Sequence, residues 1–351
     1  MGIDVVGATA QPQPWAGVPL LEVEGLVMHY TTSQGEVYAV DDVSVTLRQG
    51  EALGLVGESG CGKTSLALAL LRLLPENGRI VRGRILFDGI DLVALSEEEM
   101  RRRRWSDIAM VFQGAMNAWN PVYTIARQIE EAMRAHEVGA AMTRRAARVR
   151  IGELFELVGL PPRMMDRYPH EYSGGMRQRA IIAMALSCDP KIIIADEPTT
   201  ALDVIVQDRI LKELKRIQRD LDMSIIYISH DIAVIAEVAD RIGVMYAGKL
   251  VELGDTTSVF GRPRNPYAWS LLTSTPSIRG PRRPLAPLVG EPPDLMHPPS
   301  ACRFHPRCPL ATDRCREEEP PLAAIPDRED QQAACWHWDQ VPAPDEAEVL
   351  G

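Results

Sequence analysis

The stretch GESGCGKTS, Gly57 to Ser65, narrows what this chain can fold into more than any other. It follows an apolar run, EALGLVG, and opens a helix-forming one, SLALALLRLL, which is the strand, loop and helix setting that a P-loop requires. Gly57, Gly60 and Gly62 let the backbone curl round phosphates without a side-chain clash, with Ser59, Cys61 and Ser65 completing the cradle. Lys63 is placed to reach the outer phosphates and the Thr64 hydroxyl to ligate Mg²⁺.

A P-loop needs a second element to hold the metal and activate water. The apolar run KIIIADEP ends in Asp196, suited to the metal's water shell, and Glu197, a candidate general base. MSIIYISH ends in His230, where a side chain at the carboxyl edge of a parallel sheet would face the terminal phosphate. These runs alternate with helix patterns at VIVQDRILKELKRIQRDL and IAVIAEVADR, the βα order of a mostly parallel sheet. Before them, LLEVEGLVMHY, VYAVDDVSVTL and GRILFDG read as short strands, and residues 96 to about 180 read as a helical insertion. Within that insertion, Arg101 to Arg104 reads as a solvated helix face. HEYSGGMRQRA, with Ser173, Gly174 and Gly175 ahead of a basic helix, is a second candidate anion site at a helix N-terminus.

Of the 27 prolines, 17 lie between Gly261 and the end, so residues 262–351 are expected to be irregular. Residues 1–19 read as a flexible, unprocessed cytoplasmic leader, since Val6 stands where a myristoylation signal has Ser or Thr. A net charge of -10 argues against binding nucleic acid or an anionic membrane non-specifically. No apolar run approaches the ~20 residues that span a bilayer, so membrane contact is expected to go through partners.

In this order and spacing, Tyr30, GESGCGKT, Gln113, YSGGM, IIIADE, TALD (Thr200 to Asp203) and His230 resemble the nucleotide-binding subunit of an ABC transporter, over roughly residues 20–340. The resemblance implies an α/β fold: a RecA-like P-loop NTPase core with an antiparallel β subdomain, a helical signature subdomain and a cysteine-containing C-terminal extension. It implies an ATPase domain over 20–261. Tyr30 would stack the adenine of ATP, Gln113 would join Thr64 at Mg²⁺, and Glu197, His230 and Lys63 would carry catalysis. Ser173, Gly174 and Gly175 would close over ATP held by a facing subunit, which accounts for two phosphate-binding stretches in one chain.

YPHEYSGGMRQRAIIAMAL, TALDVIVQDRIL and NPYAWSLLTSTP, followed by GEPPDL and four cysteines, are similar to the D-type ATPase of the oligopeptide, dipeptide and nickel importers. That branch implies ATP-driven peptide import at the cytoplasmic face of the inner membrane. Its partners would be a second ATPase of a distinct F-type, two transmembrane permeases and, indirectly, an extracytoplasmic solute-binding protein, with no nucleic acid. Nickel, glutathione or oligosaccharide cargo stays open. An ABC-type ATPase acting on nucleic acid would be expected to carry a coiled-coil insertion or a second cassette, and neither is seen here. Met176 stands for the commoner Gln of the signature, as is usual in the branch. Three departures are notable: Tyr172 for Leu and Gly114-Ala115 for Asp-Pro, both expected at surfaces that meet partner subunits, and Thr64 for Ser.

Cys302, Cys308, Cys315 and Cys335 have the spacing Cys-x5-Cys-x6-Cys-x19-Cys, without the x2 knuckle common in zinc sites. Four such thiolates also suit a [4Fe-4S] cluster, and the resemblance favours it. Zn²⁺ remains the alternative, with His305 and His337 keeping a mixed site open; a disulfide pair is disfavoured in a reducing cytosol. The site is expected to lie outside every ATP motif and to serve as the core of an otherwise unpacked tail.

Overall fold

In a computed structural model, the chain is described over residues 19–114, 117–136, 142–200, 202–274, 288, 290–326 and 328–344. Residues 1–18 of the leader therefore lie outside the described residues, as do Ala115 and Ala201. The strands are β1 Leu21–Thr32, β2 Gly35–Leu47, β3 Ala52–Val56, β4 Gly78–Phe87, β5 Ile90–Asp91, β6 Ile108–Val111, β7 Ile192–Asp196, β8 Ser224–Ser229, β9 Arg241–Tyr246, β10 Lys249–Asp255, β11 Ala323–Ile325 and β12 Arg328–Ala333. They form a four-stranded antiparallel sheet, β2-β1-β4-β5, and an eight-stranded sheet, β11-β12-β10-β9-β3-β8-β7-β6.

The five strands β9, β3, β8, β7 and β6 run parallel. β3 and β7 are buried at every residue, as a strand covered by helices on both faces must be. Register pairs Val56 with Ser229 and Asp196 with Ile228, so three strand ends share one sheet edge. That edge carries the loop after β3, the acidic pair at the end of β7 and the histidine after β8. Parallel pairing alone brings together residues that lie far apart in sequence.

The stretch 96–180 is not wholly helical. After the capped helix Glu97–Arg103 comes β6, which joins the main sheet beside β7. With only four residues, IAMV is too short to show a period. The helices Ile125–Ala135, Arg144–Leu157 and Gly174–Ala185 follow, capped by Thr124, Thr143 and Ser173, whose hydroxyls accept from Arg127, Ala146 and Met176 N–H. Ile129, Ile151, Phe155 and Ala180 join these helices into the core that also contains β7 and β8. In the arginine run, Arg101 and Arg102 pair with Glu98 in solvent, but Arg104 turns inward, its guanidinium on the Leu71 and Arg72 carbonyls.

The C-terminal segment is more regular than its prolines imply. It contains the helix Pro266–Ser274, and β12 adds to the edge of the main sheet, Glu252 opposite Ala333. Glu252 is fully buried and accepts from Arg264 N–H, Asn265 N–H and the Gln331 side chain at 2.8, 2.9 and 2.7 Å. Burial pushes its carboxyl up to about 7. Tyr267 and Phe304, both buried, pack with Tyr246 of β9 at ring separations of 4.5 to 5.4 Å. The segment thus shares the core of the parallel sheet and does not depend on its cysteines alone for packing. Polar REDQQA carries no apolar alternation, yet it is a strand between β11 and β10, with Gln331 and Ala333 buried.

Candidate functional site

The loop after β3 wraps closely against its surroundings. Gly62 has φ 109°, and a Cβ there would stand 2.1 Å from Ala39 O; at Gly57 it would stand 2.2 Å from Met245 O. Only glycine fits either position. Lys63 opens the helix Lys63–Leu70, and its ammonium donates to Gly57 O at 2.7 Å and Glu58 O at 3.0 Å, inside the curl of the loop. Cys61 is buried and its carbonyl accepts from Gly248 N–H, so it anchors the loop from below, whereas Ser59, Gly60 and Thr64 face solvent. Tyr30 on β1 donates to Ser65 Oγ at 3.2 Å, which places its ring beside the start of that helix.

Asp196 is nearly fully buried. Burial raises its carboxyl above the usual range, opposed first by a hydrogen bond from Thr64. Its Oδ1 has no hydrogen-bond partner. A buried, unsatisfied carboxylate oxygen next to the Thr64 hydroxyl is costly unless something cationic meets it, so these residues fit Mg²⁺.

Glu197 has φ 47°, a left-handed conformation that is strained for glutamate and common at active sites. Its Oε2 accepts from Gln113 Nε2 at 2.7 Å and from Thr200 Oγ1 at 2.9 Å, and its Oε1 lies 2.9 Å from His230 Nδ1. Burial pushes its carboxyl up, yet the hydrogen bonds of His230 and Thr200, with the charges of His230 and Lys63, hold it below the ordinary value. An ionised carboxylate held on three sides can orient and accept a proton from water. The structure therefore gathers Lys63, Thr64, Gln113, Asp196, Glu197 and His230 at one sheet edge. Thr200, assigned no role from the sequence, belongs with them; its place three residues after Glu197 in a turn was the available signal.

Ser173, Gly174 and Gly175 lie elsewhere, at the start of the helix Gly174–Ala185. Ser173 is exposed, and a Cβ on Gly175 would stand 2.6 Å from Val206, so this glycine sets how closely the helix approaches Val204–Asp220. Tyr172 departs from the expected partner surface: it is buried, and its hydroxyl donates to Met164 O at 2.6 Å.

The ABC transporter family model matches residues 40–200, and the oligopeptide/dipeptide transporter C-terminal region matches 251–315. The oligopeptide transport ATP-binding protein OppD of Bacillus subtilis is 46% identical over 88% of this chain and 86% of its own length. The chain belongs to the ABC transporter ATP-binding proteins. The dipeptide transport ATP-binding protein DppD of Escherichia coli is 44% identical to this ABC ATPase over 88% of the chain and 94% of DppD. Among solved structures, the dimeric post-hydrolysis state of the ATP-binding cassette MJ0796 bound to ADP and phosphate covers 67% of this chain and 98% of its own, with TM-score 0.60 and 27% identity. No described helix of this ABC ATPase is long and apolar enough to cross a membrane.

The four C-terminal cysteines, all free thiols, line one small cavity with His305 and His337. Backbone N–H groups two residues onward point at three of the sulfurs: Phe304 at Cys302, Leu310 at Cys308 and His337 at Cys335. Burial pushes the Cys302, Cys308 and Cys335 thiols up, the last two to about 12. His305 Nδ1 lies 2.9 Å from Cys302 O and His337 Nε2 3.0 Å from Thr312 Oγ1. Among the described residues, no three His, Cys, Asp or Glu side chains are grouped as a metal-ion site. Nor does this region lie apart from the ATP motifs, because Arg307 pairs with Glu58 of the P-loop at 2.7 and 3.0 Å.

Proposed function

We propose that this ABC ATPase drives uptake of peptides across the bacterial cytoplasmic membrane from its cytoplasmic face, paired with a distinct F-type ATPase and two permeases that a solute-binding protein supplies. The carboxylate of Glu197, ionised and held by Gln113, Thr200 and His230, carries the reading of the chemistry. Water oriented by Glu197 attacks the γ-phosphorus, the bond to the bridging oxygen breaks, and ADP leaves with phosphate. Lys63 and His230 stabilise charge on the transferred group, and Tyr30 stacks the adenine. Thr64, Gln113 and Asp196 would hold Mg²⁺, which when bound neutralises phosphate charge.

Two exposed apolar residues support a facing ATPase. Val204 and Ile205, 80% and 82% exposed, are adjacent apolar residues at the start of the helix that packs on the signature glycine, where a partner would cover them. Ser173, Gly174 and Gly175 would then meet the partner's ATP. Similarity to OppD and DppD supports peptide cargo. In proteoliposomes holding the co-expressed complex and its binding protein, addition of peptide should raise ATP hydrolysis several-fold and load labelled peptide. Stimulation by nickel or glutathione alone would assign the cargo differently.

Cys302, Cys308, Cys315 and Cys335 would hold a [4Fe-4S] cluster. Backbone N–H groups aimed at the sulfurs favour thiolates, which burial and mutual repulsion otherwise forbid. A zinc ion held by the same thiolates, with Zn–S about 2.3 Å, is the alternative reading. The cluster would serve to cross-link the segment. Protein purified without oxygen should be brown, with about four iron and four sulfide per chain; colourless protein with one zinc and no labile sulfide would overturn the assignment.

A further inference from the structure

Glu58 of the P-loop is gripped at both ends by the C-terminal segment. Arg307, the residue before Cys308, donates from Nη1 and Nη2 to the two Glu58 carboxylate oxygens at 2.7 and 3.0 Å, and its side chain is only 6% exposed. The Glu58 backbone N–H donates to Tyr267 Oη at 2.8 Å. Lys63 in turn donates to the Glu58 carbonyl at 3.0 Å. Arg307 is aimed by its surroundings: Tyr246 lies beneath its guanidinium at 5.8 Å, and Tyr246 packs on Phe304 and Tyr267. Phe304 and Arg307 belong to the same tight turn as Cys302 and Cys308, in which Arg307 N–H donates to Phe304 O and Cys308 N–H to His305 O.

We infer that Arg307 and Tyr267 are positioning residues for the P-loop, through which the cysteine-bearing turn sets the affinity for ATP. Two physical effects act together. A P-loop binds phosphate with backbone N–H groups that must converge, and fixing Glu58 at its amide and its carboxylate removes freedom that binding would otherwise have to remove. A carboxylate five residues from Lys63 also repels phosphate, and the bidentate guanidinium cancels that charge. The contact between Arg307 and Glu58 stands on its own. Control by the cysteines rests on the reading that they hold a cluster, which would keep the turn closed.

The test uses the full chain co-purified with its transporter partners, measuring KM for ATP, kcat and melting temperature. Arg307→Ala should raise KM roughly tenfold while kcat stays within about twofold, because an interaction made equally in ground and transition states is lost. Adding Glu58→Gln should recover most of that loss by removing the uncancelled charge. Tyr267→Phe keeps the ring packing and should raise KM a few-fold. Cys308→Ser should raise KM with Arg307 intact. Parental KM in both Arg307→Ala and Tyr267→Phe overturns the inference, as does a fall in kcat and melting temperature with KM unchanged. Parental KM in Cys308→Ser overturns control by the turn, and iron, sulfide and zinc analysis of the same sample reports on the cluster separately.

Discussion

Replacing Glu197 with glutamine should reduce ATP hydrolysis in the assembled complex by about a hundredfold or more while ATP affinity stays within a few-fold of the parent. The amide keeps the shape of the carboxylate and can still accept from Gln113 and Thr200, whose donors lie 2.7 and 2.9 Å away. What it loses is charge and basicity. His230 at 2.9 Å then faces a neutral group, and water has no base to receive its proton. Nucleotide should persist uncleaved at the site, so gel filtration with ATP should recover the ATPase pair as a stable species. Single-turnover cleavage measures the loss directly, and hydrolysis at the parental rate would remove Glu197 from the role of base.

Arginine at Ser173 should leave the variant's own P-loop able to bind ATP and should cut hydrolysis at the facing subunit's P-loop by at least about tenfold, since the large cation occupies the place of a transition-state contact. Ser173 is exposed and caps its helix by accepting from Met176 N–H at 3.3 Å. Loss of that cap costs about 1 kcal/mol, too little to unfold a domain of this size. Trapping nucleotide separately at the two P-loops of a pair in which only one chain carries the substitution identifies the affected site. Loss confined to the variant's own P-loop would refute action across the interface.

Much of the sheet edge that gathers Lys63, Asp196, Glu197 and His230 is legible from local sequence. Gly57, Gly62, Lys63 and Thr64 lie in one contiguous stretch, and the apolar runs ending in Glu197 and His230 announce buried parallel strands. β6 was missed because four apolar residues carry no period, and β12 because its polar residues gain their strand geometry from pairing with β10. The place of Tyr172 in the signature points to a partner surface, yet the residue is buried and its hydroxyl donates to Met164 O. Nothing near Arg307 in the sequence points to Glu58, 249 residues away.

The sequence by itself determined the chemistry and the family, because a P-loop, an acidic strand end and a signature are short stretches whose residue types follow from what phosphate, metal and water need. Tertiary structure alone decided which of those stretches meet. Parallel register brings Lys63, Asp196, Glu197 and His230 to one edge, whereas Ser173 is held on a separate helix. It also decided that the proline-rich segment is part of the ATPase, since Tyr267 and Phe304 complete the core against β9 and Arg307 reaches the phosphate loop. Such long-range contacts depend on packing between distant elements, and packing leaves no local period to read.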